Sequence, residues 1–348
     1  MKKITINYFT KINIWVLLVF FTSSYVSFIS GHGVTGILNS IKFFLIIFMA
    51  WFVMFKAESL SFEQIKKYLV IYGAVIAIVP MIQIVLWLKG LPVNGIFFHF
   101  FPRPKGLAHE PSTFGMLMLF FIAMAVTIKS KKLTFHMPYI LFIGLGLLLT
   151  VSFSALVGIA VTIIMFYFYV LFKRNVKGVG RSIILGLMFF VFFFLGIQVL
   201  FPGVLPIFLV KIKGLLGAYV IERMSIPAIL DVLRNNLFVG VGYQNLKNVA
   251  AVLGFWTSNG YVMVLAELGI ILAPVFFILN IINWANIVKT FNNLELNNRM
   301  EILFLFLYIV IGIPVIMLSL YIYNYHTTWI SIALFYKYVY EIKKRANN

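Results

Sequence analysis

The chain has 348 residues, 63% of them hydrophobic and only 11% charged, with 38 Phe and 17 Tyr and a mean hydropathy of +1.05. Soluble domains carry roughly 25% charged residues, so a soluble enzyme, a disordered tail and a nucleic-acid-binding domain are excluded. The net charge of +19 sits in short basic clusters between apolar runs, which in a membrane protein marks topology. Cysteine is absent, so neither disulfides nor thiolate metal sites are available. The expected fold class is all-α: a polytopic membrane helix bundle forming one membrane domain over residues 1–348.

A spanning helix needs about 20 mostly apolar residues. Ten candidates follow in chain order: Ile14–Ser30, Val34–Phe55, Tyr68–Leu88, Thr113–Ile128, Met137–Val151, Ala155–Phe172, Ser182–Leu200, Thr257–Ile281, Ile302–Leu320 and Thr327–Tyr340. The first lacks a small-residue cleavage site and is followed at once by another span, so it reads as a retained helix. The uncharged run 137–172 is split at Val151–Ser154, and the run 302–336 around Tyr323–His326. With a cytoplasmic N-terminus, nineteen Lys and Arg fall on inside segments and eight outside, with Lys42 in a span. That matches the positive-inside rule with both termini cytoplasmic. Two external loops are then long, at about 89–112 and 201–256, and such loops on a short-looped bundle are where function is expected.

The first loop reads His99-Phe100-Phe101-Pro102-Arg103-Pro104-Lys105-Gly106-Leu107-Ala108-His109-Glu110-Pro111-Ser112. Pro111 is placed to be the first helical residue, where its missing N–H goes unneeded. The open amides of that first turn carry partial positive charge, and Arg103 and Lys105 add two formal charges upstream. This makes a seat for a phosphate or pyrophosphate; the plainer reading of the basic pair is contact with lipid head groups.

In the second loop, Ile221–Arg234 carries Ile226, Ile229, Leu230 and Leu233 at helical period, an amphipathic helix lying over the bundle. Arg223 is its phosphate candidate, because a planar guanidinium grips phosphate oxygens in pairs; a surface pair with Glu222 or Asp231 is the alternative. Gly240-Val241-Gly242 reads as a tight turn that exposes backbone. His32, His99, His109 and His326 fall outside by this topology, and His136 is cytoplasmic. Glu267, near the middle of Thr257–Ile281, is the one acidic residue within a span. No metal-ligand pattern is present, and the run of intramembrane acids expected of a proton-coupled transporter is missing.

Arg103-x-x-Gly106 followed by Glu110-Pro111-Ser112 resembles the first external-loop motif of the O-antigen and capsular repeat-unit polymerases (Wzy-type). Arg223, Asn236 through Tyr243, Ser258-Asn259-Gly260-Tyr261 and Glu267-Leu268-Gly269-Ile270 are similar to the C-terminal signature those polymerases share with the O-antigen ligases. The span pair hinged at Thr150–Ser154 is also similar. The resemblance covers about Lys89 to the C-terminus. Ser258 stands where the ligase pattern has His, which favours a polymerase over a ligase. Phe153 stands where the hinge commonly has Arg, so no charge is carried over there.

The resemblance implies a GT-C-like membrane glycosyltransferase of polysaccharide biosynthesis, in the bacterial inner membrane with its site facing outward. A polyprenyl-pyrophosphate-linked glycan would be transferred to the non-reducing end of another lipid-linked repeat unit, as in capsule or lipopolysaccharide assembly. Arg103, Lys105 and Arg223 would stabilise the departing pyrophosphate. Glu110, or else His326, would act as base. Substrate contacts would come from Lys105, Gly106, His109, Arg234, Tyr243 and Asn259. No cofactor or metal is implied. The partners would be the lipid-linked donor and acceptor, the bilayer and a chain-length regulator protein, with no nucleic acid. The alternatives are a glycan ligase using the same donor, a lipid-linked oligosaccharide flippase, or a non-catalytic member of an assembly complex. Arg103, Glu110, Arg223 and His326 are expected to converge on one external cavity.

Overall fold

The computed structural model describes residues 14–25, 28, 35–55, 60–91, 96–98, 102–108, 111–129, 132–135, 137–150, 152–172, 232, 234, 236–238, 240–242, 246, 260–317 and 326–347. The chain opens with α1 (Ile14–Tyr25), α2 (Thr35–Phe55) and α3 (Phe62–Leu88). Strands β1 (Ile96–Phe98) and β2 (Pro102–Pro104) precede α4 (Pro111–Ala125), and β3 (Val126–Lys129) and β4 (Lys132–Phe135) follow it. Then come α5 (Met137–Leu149), α6 (Phe153–Phe172), α7 (Gly260–Asn292), α8 (Leu296–Met317) and α9 (His326–Asn347).

The chain is a helical, membrane-embedded protein. Among the described residues α3, α7 and α8 are long and apolar enough to cross a bilayer, and shorter apolar stretches lie in α1, α2, α4, α5 and α6. The break expected at Val151–Ser154 falls at the junction of α5 and α6; of the break expected at Tyr323–His326, His326 begins α9 and residues 323–325 lie outside the described residues. Ser182–Leu200 lies outside the described residues, as does most of Ile221–Arg234, of which Val232 and Arg234 are helical.

One expected helix is shorter than its apolar run. Thr113–Ile128 stops being helical at Ala125, and Val126-Thr127-Ile128 turns into a hairpin pairing Val126 with Phe135 and Lys129 with Lys132. Three β-branched side chains in a row lose rotamer freedom in a helix and suit extended backbone. The hydropathy of the run continues past that point, but its local preference does not.

The chain divides into two compact units, each drawn from separated stretches. The first comprises 1–62, 218–294 and 317–348; the second comprises 63–217 and 295–316.

In the first unit α9 lies along α2. Its core is aromatic: Phe20 meets Phe43 edge-on at 4.4 Å and Phe276 at 5.4 Å, and Phe43 meets Trp329 at 5.7 Å. These separations and tilts are the favoured ones for rings whose faces and edges carry opposite partial charge. α9 is mixed in polarity yet buried almost throughout Thr327–Val339. Its buried Lys337 lies 3.8 Å from Glu341, and the Phe62 N–H donates to Glu341 Oε1 at 2.7 Å.

The second unit is built around α4, with 12 of its 15 residues buried, so this helix is enclosed by protein on nearly every side. α6 packs on α8 through small residues: a Cβ at Gly158 would meet Ile316 at 2.7 Å, and one at Gly312 would meet Thr162 Oγ1 at 2.8 Å. Small side chains let membrane helices approach closely enough for dispersion to hold them together. At that contact α8 widens into a π-turn over Tyr308–Gly312, with the Ile313 N–H reaching back to Tyr308 O. Pro314, two residues further on, has no N–H for the Val310 carbonyl, and a widened turn is one way a helix accommodates that loss.

Candidate functional site

The connection from α3 to α4 begins as a hairpin in which Ile96 pairs with Pro104, Phe97 with Arg103 and Phe98 with Pro102. In Pro102-Arg103-Pro104 only Arg103 has a backbone N–H to offer, and the flanking prolines hold φ near −65°. That stiffness suits a two-stranded hairpin, where each strand is an edge. The chain then turns over Lys105–Ala108, with the Ala108 N–H donating to Lys105 O at 3.0 Å. Gly106 takes φ +57° at the first central position, which a side chain would resist.

Two neighbours hold this turn. The Gly106 N–H donates to Gln83 Oε1 at 3.0 Å, and Gln83 Nε2 donates back to Gly106 O at 3.3 Å. From the other side the Phe114 ring closes in: a Cβ on Gly106 would fall 2.3 Å from Phe114 Cε2. The turn therefore passes between a carboxamide of α3 and a ring of α4. Lys105 stands half-exposed beside it, while Leu107 is exposed.

α4 starts at Pro111 as the sequence predicts. Its fifth residue, Gly115, fits against the α5–α6 hinge, where a Cβ would meet Ser152 Cβ at 2.7 Å, Thr150 Oγ1 at 3.0 Å and Ala155 Cβ at 3.1 Å. Ser152 caps α6: its Oγ accepts from the Ala155 N–H at 3.4 Å, and its carbonyl accepts from the Leu156 N–H at 2.9 Å. Thr150 Oγ1 accepts from the Ser152 N–H at 3.3 Å and donates to Leu147 O at 2.7 Å. Both hydroxyl residues are fully buried. Thus the start of α6 packs against α4 at Gly115, with the Ala155 N–H taken up by the Ser152 cap. Each helix start carries roughly half a positive charge, and the half-buried Ser112 and Thr113 lie on the first turn of α4. Ser152→Ala removes one cap and should cost about 1 kcal/mol, read as a lowered melting midpoint of the detergent-purified protein.

The first unit contains a second arrangement built from the C-terminal signature. α7 is interrupted at Gly269, with φ +69° and ψ −176°. In an unbroken helix Ala266 O would accept from Ile270 N–H, and Glu267 O from Ile271 N–H. Here the segment 237–242 takes over all four groups. Val241 N–H donates to Ala266 O at 3.0 Å, Gly242 N–H to Glu267 O at 3.0 Å, Ile270 N–H to Leu237 O at 2.9 Å and Ile271 N–H to Phe238 O at 3.1 Å. Ser23 Oγ also donates to Glu267 O at 3.2 Å. Gly240 and Gly242 have φ +69° and +89°, as expected of a tight Gly240-Val241-Gly242 turn, but all three residues are buried and the turn's amides bond α7 instead of lying exposed. Glu267 itself is fully buried. Gln83 and the break at Gly269 are what sequence reasoning missed. The available signals were a lone amide in the apolar run 68–88 and a glycine two residues after Glu267, the acid within the expected span 257–281.

Arg103, Lys105 and Gly106 are thus gathered in the second unit with the start of α4; the backbone of Arg103 is described in β2. His109, Glu110, Arg223, Tyr243 and Asn259 lie outside the described residues. Arg234 is exposed in the first unit, and His326 is the first residue of α9. Among the described residues no cluster of His, Asp and Glu is arranged to hold a metal ion. Compared with family models, with curated proteins and with solved structures, the chain matches none.

Proposed function

We propose that this protein is a membrane glycosyltransferase that polymerises lipid-linked repeat units. The observation that carries the reading is the Lys105–Ala108 turn seated against Phe114 at the start of α4. Oriented amides and a basic turn suit an anionic leaving group at a water–membrane boundary. The charge count puts this end of the second unit outside, where a polyprenyl-pyrophosphate-linked glycan is presented. The order of motifs from Arg103 to Ile270 supports a repeat-unit polymerase within that class.

The reaction is a displacement at the anomeric carbon of the donor's reducing-end sugar. The bond from that carbon to the pyrophosphate oxygen breaks, and a bond to a hydroxyl oxygen on the acceptor's non-reducing end forms. The hydroxyl proton goes to Glu110, which directly precedes the first helical residue Pro111. The leaving electron pair stays on the pyrophosphate of the lipid carrier. Arg103, Lys105 and the start of α4 stabilise that growing charge without proton transfer. Arg223 and His326 are the further candidates for a second phosphate grip and an alternative base.

The test is release of the carrier. Purified protein in liposomes, given a lipid-pyrophosphate-linked repeat unit, should liberate polyprenyl pyrophosphate in step with glycan transfer. Movement of intact lipid-linked glycan across the bilayer without carrier release would identify a flippase and overturn the reading.

A further inference from the structure

Gln83 is the one amide side chain in the apolar run 68–88, and a primary carboxamide is costly to hold at membrane depth unless both its donor and acceptor are engaged. Here both are engaged by a single residue, Gly106, through bonds of 3.0 and 3.3 Å. This two-point pairing copies the edge of a peptide group. A hydroxyl could not reproduce it, because it cannot hold the N–H and C=O of one residue in a fixed plane. The paired residue is also the one in the turn that takes positive φ and that the Phe114 ring closes off from behind. Lys105 precedes it directly, and Arg103 lies two residues further back. The connection between α3 and α4 spans about twenty residues, and its ordering entropy is large; the carboxamide anchors it near its α4 end.

We propose that Gln83 is a positioning residue for the phosphate seat: it fixes the Lys105–Ala108 turn and, through it, the reach of the Arg103–Lys105 pair toward the donor's pyrophosphate. This rests on the reading of the loop as the donor seat. Gln83 touches no substrate itself, so its loss acts on donor binding before turnover. Gln83→Met keeps length and volume and removes both hydrogen bonds. It should raise KM for the lipid-linked donor roughly ten- to hundredfold, with kcat changing by less than about threefold. Gln83→Glu retains an acceptor for the Gly106 N–H and loses the donor to its carbonyl, so it should fall between the two.

The experiment pairs these kinetics with a measurement independent of catalysis. The chain has no cysteine, and Leu107 in the turn is 66% exposed, so Leu107→Cys gives a single spin-label site on the full-length protein. In the Gln83→Met background the label should become markedly more mobile while a label at the exposed Leu237, in the other unit, should not change. Unchanged label motion at position 107 overturns the clamp. A mobile label with unchanged donor KM, or a fall in kcat alone, overturns the positioning role. The donor-seat reading is judged separately: if Arg103→Ala with Lys105→Ala leaves donor affinity at the wild-type value, that reading has failed whatever Gln83 does.

Discussion

Gly240→Ala should cost the protein roughly 2–4 kcal/mol, from left-handed backbone strain and an overlap that cannot relax. The added Cβ would lie 2.4 Å from Glu267 O and 2.6 Å from Ala266 O, and both atoms are backbone. These carbonyls accept the Val241 and Gly242 N–H groups, so retreat from the clash breaks the bonds that repair the interruption of α7. Four backbone groups inside an apolar helix would then lose partners together, at a depth where water cannot replace them. Gly90→Ala is the matched control. Gly90 has φ +71° with nothing within 4 Å of the added carbon, so only the conformational term remains, about 1 kcal/mol. Thermal melts of the two variants in one detergent should separate clearly; equal midpoints would mean that the close approach at Gly240 is not what holds the segment.

The second large effect concerns proton transfer. Glu110→Gln preserves shape and hydrogen bonding but removes the base, so turnover should fall roughly 10²- to 10⁴-fold with donor binding nearly unchanged. Glu110 directly precedes the opening turn of α4, whose first residue Pro111 is buried. Protein yield is the control that separates lost chemistry from lost fold. Arg223→Lys in the same membranes tests the second phosphate grip, since an ammonium lacks the planar fork. Normal polymer formation by Glu110→Gln moves the base assignment to His326, whereas full activity of Arg223→Lys makes Arg223 a solvated surface charge.

What was legible in the sequence follows from local chemistry. Proline at a first helical position, serine before a helix and paired glycines in a turn each act on their own few residues. Accordingly the start of α4 at Pro111, the break between α5 and α6 and the Gly240–Gly242 turn all follow from short motifs. The shortened α4 was readable too, had the Val126-Thr127-Ile128 run been weighed above hydropathy. Gln83 and Gly269 were not legible, because their meaning lies in partners 23 residues away for Gln83 and about 30 residues away for the strand-like exchange at α7. An apolar run tolerates a Gln or a Gly without revealing whether it binds a distant loop. Periodicity also underweights α9, whose mixed polarity hides how deeply it is buried.

The most direct test of the central claim is the product distribution from a single repeat unit. Purified wild-type protein in liposomes, supplied only with a polyprenyl-pyrophosphate-linked repeat unit, should yield a ladder of lipid-linked glycans spaced by whole repeats, and Glu110→Gln should leave the starting unit intact. A single transfer to a different acceptor with no ladder, or a ladder undiminished in Glu110→Gln, would contradict the account.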